Sequence, residues 1–217
     1  PHPHYGFDVM INSDEPGCYD DAYIKWVAEK DPSAVAACRC NTPPAWTGTP
    51  VEVHNRSAEH PYLFDGPENL THTAFVADET AQFIRGQAER GGPFFCVAGM
   101  YAPPPPINPP ERFVRMYDSG DMPLPARNAG ENYLSVTDEG WRKVKAYYYA
   151  LVSHVDDQIG RVLRALAAHG AGEDTIVIFT SDHGEHLGDH GLIGKGAAYD
   201  SCARVPLVVS YPNGFSG

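Results

Sequence analysis

An α/β fold, with a mostly parallel sheet and helices on both faces, is predicted by three features of this 217-residue sequence. Residues 94–99, Phe-Phe-Cys-Val-Ala-Gly, form a continuous apolar run, which suits a strand covered on both sides. Residues 175–180 are a second such run, rich in β-branched side chains, and it stops abruptly at Ser181-Asp182-His183-Gly184. Between the two lies a long helical pattern, so strand, helix and strand follow one another as in a sheet built from crossover units.

Composition supports a packed enzyme domain. The apolar fraction is 42%, with 12 Tyr, 9 Phe and 3 Trp, which excludes a disordered chain. A self-contained chain of this size buries roughly 70% of its unfolded surface, enough for one core. The 20 Pro and 21 Gly call for long ordered loops between the regular elements. Sixteen basic against 28 acidic residues give a net charge of −12, so neither nucleic acid nor an anionic membrane surface is an expected partner. No run of 18 apolar residues is present, and no membrane span is expected. The compartment is left open, with a cytoplasmic location ahead of a periplasmic or secreted one. Cys18, Cys38, Cys40, Cys96 and Cys202 are odd in number and irregularly spaced, so no disulfide framework is expected.

Residues 20–29 place Tyr23, Ile24 and Val27 on one face of a short helix closed by Asp31-Pro32. Asn69 or Thr71 caps a second helix that runs to about Arg90, carries Phe75, Val76, Phe83 and Ile84 at helical spacing, and stops at Gly91-Gly92. The run at 94–99 then leads into the proline-rich loop 102–110. The clearest helix spans 138–169. Val144, Tyr148, Leu151, Val152, Val155, Ile159, Val162, Leu163 and Leu166 define its buried stripe, and His154 with Asp156 and Asp157 its solvated edge. Residues 175–180 and 205–210 complete the list of strands.

The chemistry concentrates between positions 182 and 204. Asp182 and His183 sit at the carboxyl end of a predicted strand, where open α/β sheets place ligand sites. Adjacent residues of a strand face opposite ways, so the two reach one metal only if the strand has ended, and Gly184 permits that bend. A carboxylate with an imidazole suits a divalent cation, the imidazole drawing the choice toward Mn²⁺ or Zn²⁺ and an oxygen shell toward Ca²⁺ or Mg²⁺. Lys195, between two glycines, offers a compact charge to an oxyanion. Arg204 precedes an apolar run, where a buried guanidinium needs an acid such as Asp200; a salt bridge and a substrate contact are both open to it. Glu185, His186, Asp189 and His190 are candidate supports for the metal ligands. A zinc site of His183, His186 and His190 would need a helix that Gly184, Gly188 and Gly191 argue against.

Ser181-Asp-His-Gly-Glu-His-Leu-Gly-Asp-His-Gly191, Gly194-Lys195-Gly196, Tyr199-Asp200 and Arg204-Val-Pro-Leu207 together resemble the sulfatase family of the alkaline-phosphatase-like superfamily. The segments 147–161, Phe75-Val-Ala-Asp-Glu79 and Gly6-Phe7-Asp8 extend the likeness over nearly the whole chain. The resemblance implies a sulfuric ester hydrolase in which one divalent metal, Ca²⁺ favoured and Mn²⁺ allowed, holds a small-molecule sulfate ester while a formylglycine hydrate attacks sulfur. It implies that Asp182 and His183 are metal ligands, that Lys195 is catalytic and binds substrate, and that Arg204 binds substrate. Phosphonate or phosphodiester hydrolysis is the nearest rival, and a non-catalytic anion-binding homologue the alternative of another class. Two departures accompany the likeness. None of the five cysteines stands in the family's Cys-x-Pro/Ala-x-Arg nucleophile motif, and Pro104 occupies the place of a family histidine. Residues 1–217 are therefore expected to form an incomplete alkaline-phosphatase-like fold, a partial catalytic domain from the carboxyl side of a longer enzyme. Alone it is expected to be inactive and to associate with itself or with the missing amino-terminal piece.

Overall fold

The computed structural model describes residues 4–39, 60–103, 105–131 and 134–214. Cys40 and Pro104 lie outside the described residues. Six helices, α1 (Ala22–Lys30), α2 (Val35–Cys38), α3 (His72–Arg90), α4 (Glu111–Val114), α5 (Asp138–Ala168) and α6 (Asp200–Ala203), are joined by two strands, β1 (Val177–Thr180) and β2 (Leu207–Ser210).

Local chemistry sets the helix ends where the sequence marks them. Asp21 caps α1 by accepting from the amides of Tyr23 and Ile24. Thr71 caps α3 through the Ala74 amide, and Gly91, at φ 71°, ends it. Thr137 caps α5 through the Gly140 amide. Each side chain satisfies amide donors that the first helical turn leaves without partners.

Two apolar clusters hold the described chain together. Tyr23, Ile24, Trp26 and Val27 of α1 meet Leu70, Phe75 and Cys38. Trp141, Val144 and Leu151 of α5 meet Ile107 of the proline-rich loop, with Leu187 and Ile193 packed against them. α3 packs chiefly against α5, and an ion pair from Arg161 of α5 to Asp78 of α3 ties the two further. The proline-rich loop is itself anchored, since the Tyr62 and Phe64 amides donate to the carbonyls of Ile107 and Pro109.

Three expectations are corrected. First, the described residues form no parallel sheet covered on both faces: β1 and β2 pair antiparallel, with Val177 opposite Ser210 and Thr180 opposite Leu207. The intervening loop folds back on itself, through hydrogen bonds such as Gly184 amide to Cys202 carbonyl at 2.7 Å, and returns the chain to the end of β1 it left. A parallel partner would need a crossover running the full strand length, and the short α6 supplies none. Second, residues 94–99 form no strand among the described residues, and Phe95 and Val97 are exposed. Third, the buried stripe of α5 is partly rotated from the predicted one, with which it shares Val144, Leu151 and Leu166. Trp141, Val144, Lys145, Leu151, His154 and Gln158 face inward, whereas Val152 and Leu163 are exposed. The helix is apolar on more than one face, and among the described residues only the face toward α3 and the loops is covered. No helix among the described residues is long and apolar enough to cross a membrane.

Candidate functional site

β1 ends at Thr180, whose hydroxyl donates to the Pro206 carbonyl at 2.9 Å and pins the strand end to β2. The next residues are therefore free of strand alternation, and Asp182 and His183 turn toward one another. The His183 amide donates to Asp182 Oδ1 at 2.9 Å, and the Ser181 hydroxyl donates to the His183 carbonyl at 2.8 Å. Asp182 Oδ2 lies 3.5 Å from His183 Nε2. His183 Nδ1 is 2.8 Å from the Gly184 carbonyl, which can only accept, so Nδ1 carries a proton, and the tautomer this selects is the one whose Nε2 has a lone pair to offer. One carboxylate oxygen and one imidazole nitrogen thus lie 3.5 Å apart, a spacing open both to an ion pair and to two ligands of one metal.

Gly184 is needed for space. A Cβ there would lie 2.3 Å from the Ser201 carbonyl oxygen, because the backbone runs against residues 201–202. The loop beyond is built on α5. Gly188, at φ +92°, lies so close to the Trp141 ring that a Cβ would meet it at 2.8 Å, and Leu187 and Ile193 enter the same apolar cluster. Glu185 Oε1 accepts from the amides of Gly194 and Leu187, closing the loop from within. Asp189 Oδ1 accepts from the Ala126 amide at 2.9 Å, and the Ala126 carbonyl accepts from the His190 amide at 2.9 Å. Lys145 is buried on the same side of α5; desolvation lowers its ammonium pKa and the nearby Asp189 partly offsets this. Burial, with Glu185 adding to it, raises the Tyr148 phenol well above its ordinary value.

His186 and His190 take separate roles. His186 is buried, with Nδ1 2.8 Å from the Ser201 hydroxyl, while His190 stacks on Tyr199 with ring centroids 3.9 Å apart. The three-histidine zinc arrangement is not formed, and the described residues contain no group of three or more His, Cys, Asp or Glu able to hold a metal. Lys195 is exposed on the loop that Glu185 closes, and no hydrogen bond or ion pair joins it to Asp182 or His183. Arg204 is not the buried cation the sequence suggests. Its side chain is 81% exposed and pairs with Asp200 at 3.7 Å, one helical turn away. His154, placed on a solvated edge by the sequence pattern, is 1% exposed. The support given by Trp141 and Lys145 went unread in the sequence, although their spacing from Tyr148, which the predicted stripe does include, marks one helix face.

The donor set fits a divalent cation in kind and falls short in number. Ca²⁺ takes six to eight oxygen ligands in general, so Asp182 and His183 supply part of a shell.

The Sulfatase family model matches residues 11–217 of the chain. An arylsulfatase of Clostridium perfringens is 31% identical over 210 residues, covering 88% of this chain and 40% of its own length. An iduronate 2-sulfatase of Mus musculus is 28% identical over 175 residues, covering 68% of this chain and 32% of its own. Among solved structures, the phosphonate monoester hydrolase of Agrobacterium radiobacter superposes with a TM-score of 0.72 at 28% identity, covering 88% of this chain and 41% of that one. The chain thus spans less than half the length of these relatives.

Proposed function

Because the chain belongs to the sulfatase family of the alkaline-phosphatase-like superfamily, we propose that the natural polypeptide containing it hydrolyses sulfuric esters of small molecules with the help of one divalent metal, Ca²⁺ ahead of Mn²⁺. The observation that carries this reading is the convergence of Asp182 Oδ2 and His183 Nε2 at 3.5 Å just beyond the end of β1. Asp182 would hold the metal through Oδ2, since Oδ1 is committed to the His183 amide. His183 would hold it through Nε2, its tautomer fixed by the Gly184 carbonyl. The bound cation supplies charge stabilisation for a tetrahedral oxyanion. Lys195, on the loop closed by Glu185, would bring an ammonium to the ester or leaving-group oxygen, and Arg204 would add a second cation at the rim. Both basic residues work against the net charge of −12, which repels an anionic substrate at long range.

Phosphonate monoester hydrolysis is the second reading, supported by the likeness to the Agrobacterium radiobacter hydrolase. A tetrahedral phosphonate makes the same demands on a cation and a lysine. Assaying the natural polypeptide on an aryl sulfate and an aryl phosphonate in parallel separates the two. Faster turnover of the sulfate is the expected result, and a clear preference for the phosphonate overturns it. None of the five cysteines stands in the family's nucleophile motif, so the 217 residues alone should turn over neither ester.

A further inference from the structure

A cavity of about 40 Å³ lies where the start of α3, the middle of α5 and the proline-rich loop meet, lined among others by Thr71, His72, Tyr101, Asn108 and His154. Two of its walls are imidazoles. His72 is 8% and His154 1% exposed, and among the described residues both ring nitrogens of His72 and Nδ1 of His154 have no hydrogen-bond partner. The remaining nitrogen, His154 Nε2, lies 3.3 Å from the Thr71 hydroxyl, which also caps α3. The space is sufficient for water, which would satisfy the neutral rings at little cost.

An imidazolium is another matter, since it must donate from both nitrogens. His72 is the first residue of α3, where the amides and dipole of the helix present positive charge. The carboxylates nearby are already engaged. Asp21, facing His72 from α1, accepts from the Tyr23 and Ile24 amides, the Ser13 hydroxyl and the Asp14 amide. Asp157, near His154 on α5, is bonded to Arg112 of α4 and to Gln158, and Arg112 itself repels a second cation. The ring neighbours of His72 include two phenols, Tyr23 at 5.2 Å and Tyr101 at 6.4 Å centroid to centroid, and the cavity adds the neutral side chains of Thr73 and Asn108. His154 otherwise meets the Phe113 ring.

We propose that His72 and His154 form an acid-sensitive latch: while both are neutral they hold the proline-rich loop and the first turns of α3 against α5, and their protonation opens that junction. Desolvation lowers each imidazole from 6.5 to about 4 in the folded chain. The unfolded or opened state therefore binds more protons between pH 6.5 and 4, so stability present above 6.5 is lost as pH falls through that window. No further loss arises from these groups below 4.

The test is hydrogen exchange of the full chain from pH 7.5 to 4.5, corrected for intrinsic rates, together with nitrogen NMR of the imidazoles. Protection around residues 72–76 and 150–156 should fall by about 10³- to 10⁴-fold, since each histidine contributes up to about tenfold per pH unit over the two units from 6.5 to 4.5. Protection around the Trp26 side of α1 should fall less. His72→Gln and His154→Gln should each remove about half of the logarithmic pH dependence. If either variant fails to fold, the wild-type rings still decide: both should remain neutral at pH 5 in the folded chain. Rings that titrate near 6.5 without loss of protection, or protection that is flat over the window, overturn the latch.

Discussion

Position 188 shows how tightly a single residue is constrained around the candidate site. Its φ of +92° strains any residue with a side chain, and a Cβ would lie 2.5 Å from Pro125 and 2.8 Å from Trp141. Gly188→Ala should therefore cost about 2–4 kcal/mol, from strain and overpacking together. A thermal midpoint within a degree of wild type would contradict that packing. The strand end just before Asp182 and His183 was legible, because an apolar run broke off there, and a chain leaving a strand can turn both side chains toward one point. The Arg204–Asp200 pairing was legible, but the exposure of Arg204 and the burial of His154 were misread for a common reason. Burial of a polar side chain depends on what the rest of the fold lays over it, and local pattern carries no record of that.

Among the elements, the helices and the strands at 175–180 and 205–210 were read well, and the strand pairing and the run at 94–99 poorly. Capping residues such as Thr71, Thr137 and Gly91 act within a turn, so the ends of α3 and α5 follow from neighbours in sequence. Strand pairing is non-local. The runs at 94–99 and 177–180 have the composition of buried strands, yet what they pair with is settled by the path of the chain between and beyond them. Rotation of the α5 stripe follows the same logic. Val152 and Leu163 are as apolar as Val144 and Leu151, and the contact with α3 and the proline-rich loop decides which set is covered.

At the scale of the whole molecule, both strands carry apolar side chains into solvent. Ile178, Phe179, Leu207, Val208 and Val209 are exposed, and so are Phe95 and Val97. A two-stranded sheet with open edges and uncovered faces is marginal in water and prone to pair with another copy. We therefore propose that the 217 residues alone associate, copy against copy, through this apolar surface. Multi-angle light scattering should give masses above the 23.7 kDa of one chain, and a monodisperse monomer at micromolar concentration would contradict it. The clusters around Trp26 and Trp141 lie away from this surface in composition, being buried and aromatic, and should stay intact as it is covered.

Metal capture by Asp182 and His183 is tested most directly by titrating Mn²⁺ into isotopically labelled chain and following relaxation of individual resonances, with Ca²⁺ as competitor. Signals of residues 182–184 should broaden first, Ca²⁺ should reverse the effect, and Asp182→Asn should weaken it about tenfold or more while His183→Gln does the same. Broadening that ignores both substitutions, or that spares 182–184 while appearing elsewhere, would contradict the placement of the metal at the end of β1.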